Sequence, residues 1–184
     1  MLASLGLTAA FFAAAVSAHG NVLTPEPRQP GPAMVAACGQ ANVNAVLADP
    51  SIPLENFQNV PATCKLDLCR GATFADNTAR VQTFTAGQQV PITVDLPIPH
   101  EGPCNVSVVD TRTNTVLGAP LIEFATYADE NLAQLPANNT AFTVTIPQMQ
   151  AGQCVQPGAC TMQWFWFGTN AQQTYESCID FVMA

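Results

Sequence analysis

From about Gln82 onward the chain alternates between hydrophobic and polar positions, and turns that contain Gly or Pro interrupt the alternation. The alternating segments read VQTFTAG, QQVPITVDLPI, NVSVVD, TAFTVTIP, CTMQWFWFGT and SCIDFVM. A period of two is typical of β-strands that bury one face, and short strands at this spacing favour two packed antiparallel sheets. The pattern therefore predicts an all-β domain with an immunoglobulin- or fibronectin-like antiparallel β-sandwich.

Residues 21–80 are richer in Pro and lack this alternation, and only the segment AACGQANVNAVLAD has a helical composition. We therefore expect a long, irregular, disulfide-tied insertion after the first strand. Within the sandwich, Trp164 and Trp166 alternate with phenylalanines along one strand, and core packing is the favoured interpretation for both indoles. Tyr127 lies in a predicted loop and is the clearest candidate for an exposed aromatic side chain.

The first 18 residues are apolar and end in the small residues of Val16-Ser17-Ala18. This ending is typical of a signal peptidase site. A membrane anchor is the less favoured alternative, because the apolar run is short for a spanning helix and lacks a basic flank. The sequence predicts a secretory signal peptide over residues 1–18 and one mature domain over residues 19–184. The mature domain would be extracellular or held at the cell surface.

The composition fits an exported domain. All seven cysteines follow the predicted signal peptide, which indicates disulfides. Only 10% of the residues are charged and the net charge is −8, so the chain lacks the basic patches that bind nucleic acid or anionic membranes. Asn105 and Asn138 begin N-glycosylation sequons, which would place both segments at the surface.

Sequence spacing favours one disulfide pattern among several, because connectivity does not follow from spacing alone. Cys64–Cys69 and Cys154–Cys160 are the local pairs that close short loops. We then expect Cys38 to pair with Cys178, which would tie the irregular region to the last strand, and Cys104 to remain a free thiol.

The chain contains only two histidines, His19 and His100. As the mature N-terminus, His19 would offer an α-amine and an imidazole, whereas the uncleaved chain has an amide at this position. Together with the His100 ring this makes three nitrogen donors, a set that suits one Cu(II) ion. The amine must lose a proton to bind, so copper affinity should fall in acid. The alternative is that His100 is an ordinary loop histidine and that His19 follows the cleavage site by chance.

Several short segments carry a resemblance to lytic polysaccharide monooxygenases. They are HGNVLTPEPRQPG, PHEGPCNVSV, CTMQWFWFG and QTYESC, and the chain also looks like fungal chitin-binding type-4 proteins through CRGATFADN and TYESCIDF. The resemblance implies a histidine brace in which His19 and His100 hold copper, with Tyr175 on the axis. It also implies that Gln173 forms a hydrogen bond to an oxygen species on the metal.

The resemblance further implies a function. In this class, reduced copper activates O₂ or H₂O₂, and the resulting oxidant removes hydrogen from a carbon at a glycosidic bond. We therefore expect a monomeric enzyme that acts on chitin, cellulose or another wall glycan with an external electron donor. Asn21 and Glu101 flank the histidines and are the predicted substrate-binding residues.

Two other functions stay open at this point. A related group of fungal copper proteins has a similar brace with an aspartate ligand and handles copper without cutting polysaccharide. Asp76 and Asp180 are the carboxylates that could take that role, although Asp76 reads first as a turn residue. The third possibility is a chitin-binding module that holds no metal.

Overall fold

The computed structural model describes residues 19–184, and the predicted signal peptide lies outside the described residues. Nine strands and two α-helices follow one another along these residues. The strands are β1 (His19–Thr24), β2 (Gln82–Phe84), β3 (Gln89–Ile98), β4 (Gly102–Asp110), β5 (Thr115–Val116), β6 (Ile122–Tyr127), β7 (Ala141–Thr145), β8 (Cys160–Gly168) and β9 (Gln173–Met183). The helices are α1 (Pro32–Cys38) and α2 (Gln40–Ala48), and short 3-10 turns occur at Leu54–Asn56, Cys69–Gly71, Phe74–Asp76, Thr78–Arg80 and Ala137–Asn139.

Two sheets form a sandwich, as predicted. The smaller sheet has the order β1-β3-β7, and the larger has the order β2-β9-β8-β4-β5 with β6 also paired to β4. Strands β8 and β9 pair without interruption, from Cys160 opposite Phe181 to Gly168 opposite Gln173. The short β2 runs parallel to β9, and this pair is the one exception to the antiparallel pattern within residues 19–184.

The main core lies between the sheets and contains the aromatic side chains of β8. Trp164 and Trp166 are fully buried, as expected, and Tyr175 of β9 stacks on Trp166 with 4.6 Å between ring centroids. The prediction that Tyr127 is exposed is wrong. Strand β6 continues to Tyr127 because this residue pairs with Gly102 of β4, and its ring is fully buried near Trp166.

The insertion between β1 and β2 has a small core of its own. Met34 and Val43 from the two helices pack toward Val109 and Cys178 of the larger sheet. The expected helical segment forms parts of two helices rather than one, because Gly39 between them has a φ of +86°. This left-handed conformation is one that glycine adopts readily and that ends a right-handed helix.

Three disulfides occur in residues 19–184: Cys38–Cys64, Cys69–Cys178 and Cys154–Cys160. The third pair and the free, buried Cys104 agree with the prediction. The predicted pairs Cys38–Cys178 and Cys64–Cys69 are wrong. The N–H of Arg70 donates to Glu176 of β9 at 3.1 Å, which brings the preceding Cys69 to the sheet and leaves Cys64 to face the end of α1.

The two predicted glycosylation segments differ in exposure. Asn138 is exposed in a 3-10 turn, whereas Asn105 is half-buried in β4 between β6 and β8. Asn138 is thus fully accessible, whereas Asn105 is only partly accessible, and glycosylation of both stays a prediction. None of the helices in residues 19–184 combines the length and the apolar character that crossing a membrane would require.

Candidate metal centre

Strand pairing brings the two histidines to the same end of the sandwich. His19 begins β1 opposite Ile98 at the end of β3, and His100 follows Ile98 by two residues in the connection to β4. Gly20 lets β1 approach the core closely, since a Cβ at this position would lie only 2.9 Å from the ring of Trp166. The same indole stacks on Tyr175, so the start of β1 and the start of β9 lie beside one side chain.

His100 is a buried side chain with unsatisfied polar atoms. Its exposed fraction is 6%, and neither ring nitrogen has a hydrogen-bond partner. The nearest carboxylate is that of Glu130, whose Oε1 lies 3.5 Å from Nδ1. This distance permits an ion pair but is at the outer limit for a hydrogen bond, so neither ring nitrogen makes a hydrogen bond of ordinary length.

Gln173 and Tyr175 are two residues apart on β9 and interact directly. The Tyr175 hydroxyl donates a hydrogen bond to Oε1 of Gln173 at 2.7 Å. Burial raises the pKa of Tyr175 well above its usual value, and the nearby carboxylates of Glu55 and Asp49 raise it further. The side chain is therefore a neutral phenol at physiological pH.

Three carboxylates that the sequence did not single out surround these residues. Asp49 accepts from His19, with 2.7 Å between Oδ2 and Nε2, and Glu55 accepts at 2.8 Å from both the N–H and the hydroxyl of Thr174. Glu130 accepts from the backbone N–H of Glu101 at 2.5 Å. No motif or spacing marks these carboxylates, because each reaches the site from a loop or helix end distant in sequence.

Hydrogen bonding keeps two of these carboxylates charged. Burial alone would raise the pKa of Asp49, but hydrogen bonds from Ser51 and the adjacent His19 outweigh burial and lower it. Burial acts in the same direction on Glu130, and hydrogen bonds led by the one from Asn170 lower its pKa to about 2. The end of the sandwich that carries the histidines is therefore negatively charged, which favours a cation.

The remaining predicted residues divide between the site and other contacts. Glu101 is half-buried beside His100, and the Asn21 side chain accepts a hydrogen bond from Ser177 at 3.0 Å.

Asp76 accepts from the N–H groups of Ala33 and Met34 at the start of α1. Asp180 forms a buried, bidentate pair with Arg28 at 2.7 and 2.8 Å. Both aspartates are thus engaged away from the histidines.

The donor set fits a copper brace. Within the described part of the chain, no three His, Cys, Asp or Glu side chains converge on one metal position. A histidine brace does not need such a cluster, because its three donors are two imidazole nitrogens and a terminal amine. The ring nitrogens of His100 are buried and have no hydrogen-bond partner. Buried polar groups in folded proteins normally have a partner, and a bound metal would provide one here. The amine at His19 would exist only after cleavage behind Ala18.

Comparison with known proteins gives one family. Residues 19–181 match the family model described as "Lytic polysaccharide mono-oxygenase, cellulose-degrading". Among curated proteins, no sequence matches this chain.

One solved structure shares the fold at low sequence identity, and two others align over most of this chain. A chitin-binding domain from Burkholderia pseudomallei is 16% identical, with a TM-score of 0.52 over 91% of this chain and 100% of that domain. The cellulose-active monooxygenase CelS2 in complex with copper is 16% identical, with a TM-score of 0.49 over 89% of this chain and 98% of its own. A monooxygenase from Thermobia domestica in the Cu(I) state is 18% identical, with a TM-score of 0.49 over 90% and 99%. At 16% identity the likeness to the Burkholderia domain concerns the fold alone.

Proposed function

Because the chain belongs to the lytic polysaccharide mono-oxygenase family matched over residues 19–181, we propose that it is a secreted, copper-dependent monooxygenase that oxidises a structural polysaccharide. One observation carries the copper part of the proposal. His100 is buried at the end of the sandwich where β1 begins, and neither of its ring nitrogens has a hydrogen-bond partner. A metal ligand role gives this side chain the partner that it lacks.

Each residue of the proposed site has a distinct role. After cleavage, the amine and Nδ1 of His19 and Nε2 of His100 would hold copper, with the hydroxyl of Tyr175 as a further ligand. Gln173, which accepts a hydrogen bond from Tyr175 at 2.7 Å, would orient the groups around the metal. Bound copper would supply the redox chemistry, with an external electron donor.

The substrate would be chitin, cellulose or another wall glycan, and Asn21 and Glu101 would contribute to the surface that meets it. All Trp and Tyr side chains of the chain are buried. Contact with the polysaccharide would therefore rest mainly on polar and aliphatic side chains. The half-buried Glu101 is better placed than Asn21 to contact the polysaccharide, because the Asn21 side chain already forms a hydrogen bond with Ser177.

The first experiment tests the metal. The secreted protein should begin at His19, as read by intact mass or N-terminal sequencing, and should bind one Cu(II) per chain by calorimetry. A matched version with one extra residue before His19 keeps both imidazoles and loses the terminal amine, so it should bind copper much more weakly. His100→Ala should weaken binding as well. Equal affinity in all three proteins would overturn the brace.

The second experiment tests catalysis. The copper-loaded protein, given a reductant and peroxide, should release oxidised oligosaccharides from at least one glycan in a panel that includes chitin and cellulose. Tight copper binding without any oxidised product would favour a copper-handling protein. Binding to chitin without copper affinity would favour a metal-free binding module.

A further inference from the structure

The carboxylate of Asp49 is held in place independently of His19. Asp49 follows α2, and its backbone N–H donates to the carbonyl of Ala45 at 2.9 Å. Its Oδ1 accepts hydrogen bonds from the N–H and the hydroxyl of Ser51, at 2.9 and 2.6 Å. These bonds orient the carboxylate and leave Oδ2 as the atom that meets His19 Nε2 at 2.7 Å.

The two ring nitrogens of an N-terminal histidine are not equivalent toward a metal. The amine nitrogen, Cα, Cβ, Cγ and Nδ1 close a six-membered ring with a bound metal, whereas Nε2 points away from the amine. A neutral imidazole carries its proton on one nitrogen only, and a carboxylate can only accept it. A carboxylate at Nε2 therefore favours the tautomer in which Nδ1 keeps its lone pair.

We propose that Asp49 is a positioning residue for His19. Its carboxylate keeps the proton of the His19 ring on Nε2 and orients the ring so that the lone pair of Nδ1 is available to copper. This inference rests on the proposed function for its purpose, but the tautomer itself can be measured without metal. A carboxylate at the outer nitrogen of a ligand histidine fixes the ring orientation and increases the basicity of the other nitrogen.

The metal-free test uses nitrogen NMR of protein labelled at histidine, at about pH 8, where an ordinary imidazole is neutral. The chain has two histidines, so His100 serves as an internal reference. In the processed wild-type protein, the His19 shifts should report a proton on Nε2. In Asp49→Ala they should move toward a mixture of tautomers, whereas Asp49→Asn should restore part of the preference because its amide oxygen still accepts. Identical His19 shifts in wild type and Asp49→Ala would overturn the proposal.

The copper test measures the Cu(II) dissociation constant of the processed variants. Loss of such an outer hydrogen-bond partner typically weakens metal binding by about 10- to 100-fold, and we expect Asp49→Ala to fall in this range. Asp49→Asn is the matched charge control, because it removes the negative charge but keeps an oxygen that can accept from Nε2. An equal loss of affinity in Asp49→Asn and Asp49→Ala would show a general charge effect and would overturn the positioning role.

The two tests separate this inference from the proposed function. If the wild type fails to bind copper, the proposed function fails, and the NMR result still decides the tautomer. Thermal unfolding of the metal-free variants checks that each one is folded, and Asp49→Asn serves as the readout if Asp49→Ala is not.

Discussion

At the scale of single residues, His100 has the least satisfied polar side chain near the proposed site. Both of its ring nitrogens are buried without a hydrogen bond. A buried donor or acceptor without a partner typically costs about 1–3 kcal/mol of stability. Copper at Nε2 would remove part of that cost, so the proposed ligand role also implies that the metal stabilises the folded state.

The hydroxyl of Tyr175 should matter more for turnover than for copper binding. Tyr175→Phe keeps the ring stacked on Trp166 and removes only the group that donates to Gln173. We expect turnover with a responsive glycan to fall by about tenfold or more, as for other groups that orient a metal site, while the Cu(II) dissociation constant changes far less. Tyr127→Phe is the control, because this buried tyrosine bonds to Asn139 and not to Gln173. A loss of affinity as large as the loss of turnover in Tyr175→Phe would contradict the assignment.

Some residues of the proposed site can be identified from the sequence, and others cannot. His19, His100, Gln173 and Tyr175 lie in short motifs, so they can be picked out without a structure. Asp49 cannot, because its contact with His19 depends on where α2 ends and on how the insertion folds back over β1. Spacing along the chain carries no information about such a contact.

At the scale of elements, the connection between β3 and β4 gives a structural reason for the glycine in one of the sequence motifs. The segment HEGP contains Gly102, and a Cβ there would lie 1.8 Å from the carbonyl oxygen of Phe167. Only glycine lets β4 pass β8 at this point, which keeps His100 at the end of the sandwich. The alternation in the sequence predicts both strands, but it does not predict how closely their ends approach.

The start of α1 offers a test of Asp76 as a structural residue. The helix has no side-chain cap of its own, and Asp76 accepts from Ala33 and Met34 instead. Asp76→Ala should lower the free energy of unfolding by about 1 kcal/mol at neutral pH, as loss of a helix cap does, and leave copper affinity unchanged. Weaker copper binding in this variant, with the fold intact, would instead favour an aspartate ligand.

The pH dependence of the same variant gives a second readout. Burial alone would raise the pKa of Asp76, but hydrogen bonds from the two N–H groups and from Thr73 lower it. A carboxyl group with a lowered pKa in the folded state stabilises the protein above its unfolded pKa and loses this effect as the pH falls. The difference between wild type and Asp76→Ala should therefore shrink below about pH 4, as measured by denaturant unfolding.

At the scale of the whole molecule, the proposed site is assembled from two parts of the chain. The sandwich supplies both histidines, Gln173 and Tyr175, and the insertion supplies Asp49 and Glu55. The sandwich could be predicted from periodicity, since alternation reports burial directly. The path of the insertion could not, because its 3-10 turns and disulfide pairing depend on contacts with β9 that have no local signature.

The Cys69–Cys178 disulfide should therefore support both stability and copper binding, because it ties the insertion to β9 three residues after Tyr175. It joins residues 109 apart in sequence, whereas Cys154–Cys160 joins residues 6 apart. Loop-closure entropy predicts a loss of about 5 kcal/mol for the double variant Cys69→Ser/Cys178→Ser and about 2 kcal/mol for the control Cys154→Ser/Cys160→Ser. Under conditions in which both variants are folded, only the first should bind Cu(II) more weakly, because a loosened insertion releases Asp49 from His19. Peptide mapping without reduction should first find Cys69 linked to Cys178, and a Cys38–Cys178 link or equal copper affinity in the two variants would contradict this coupling.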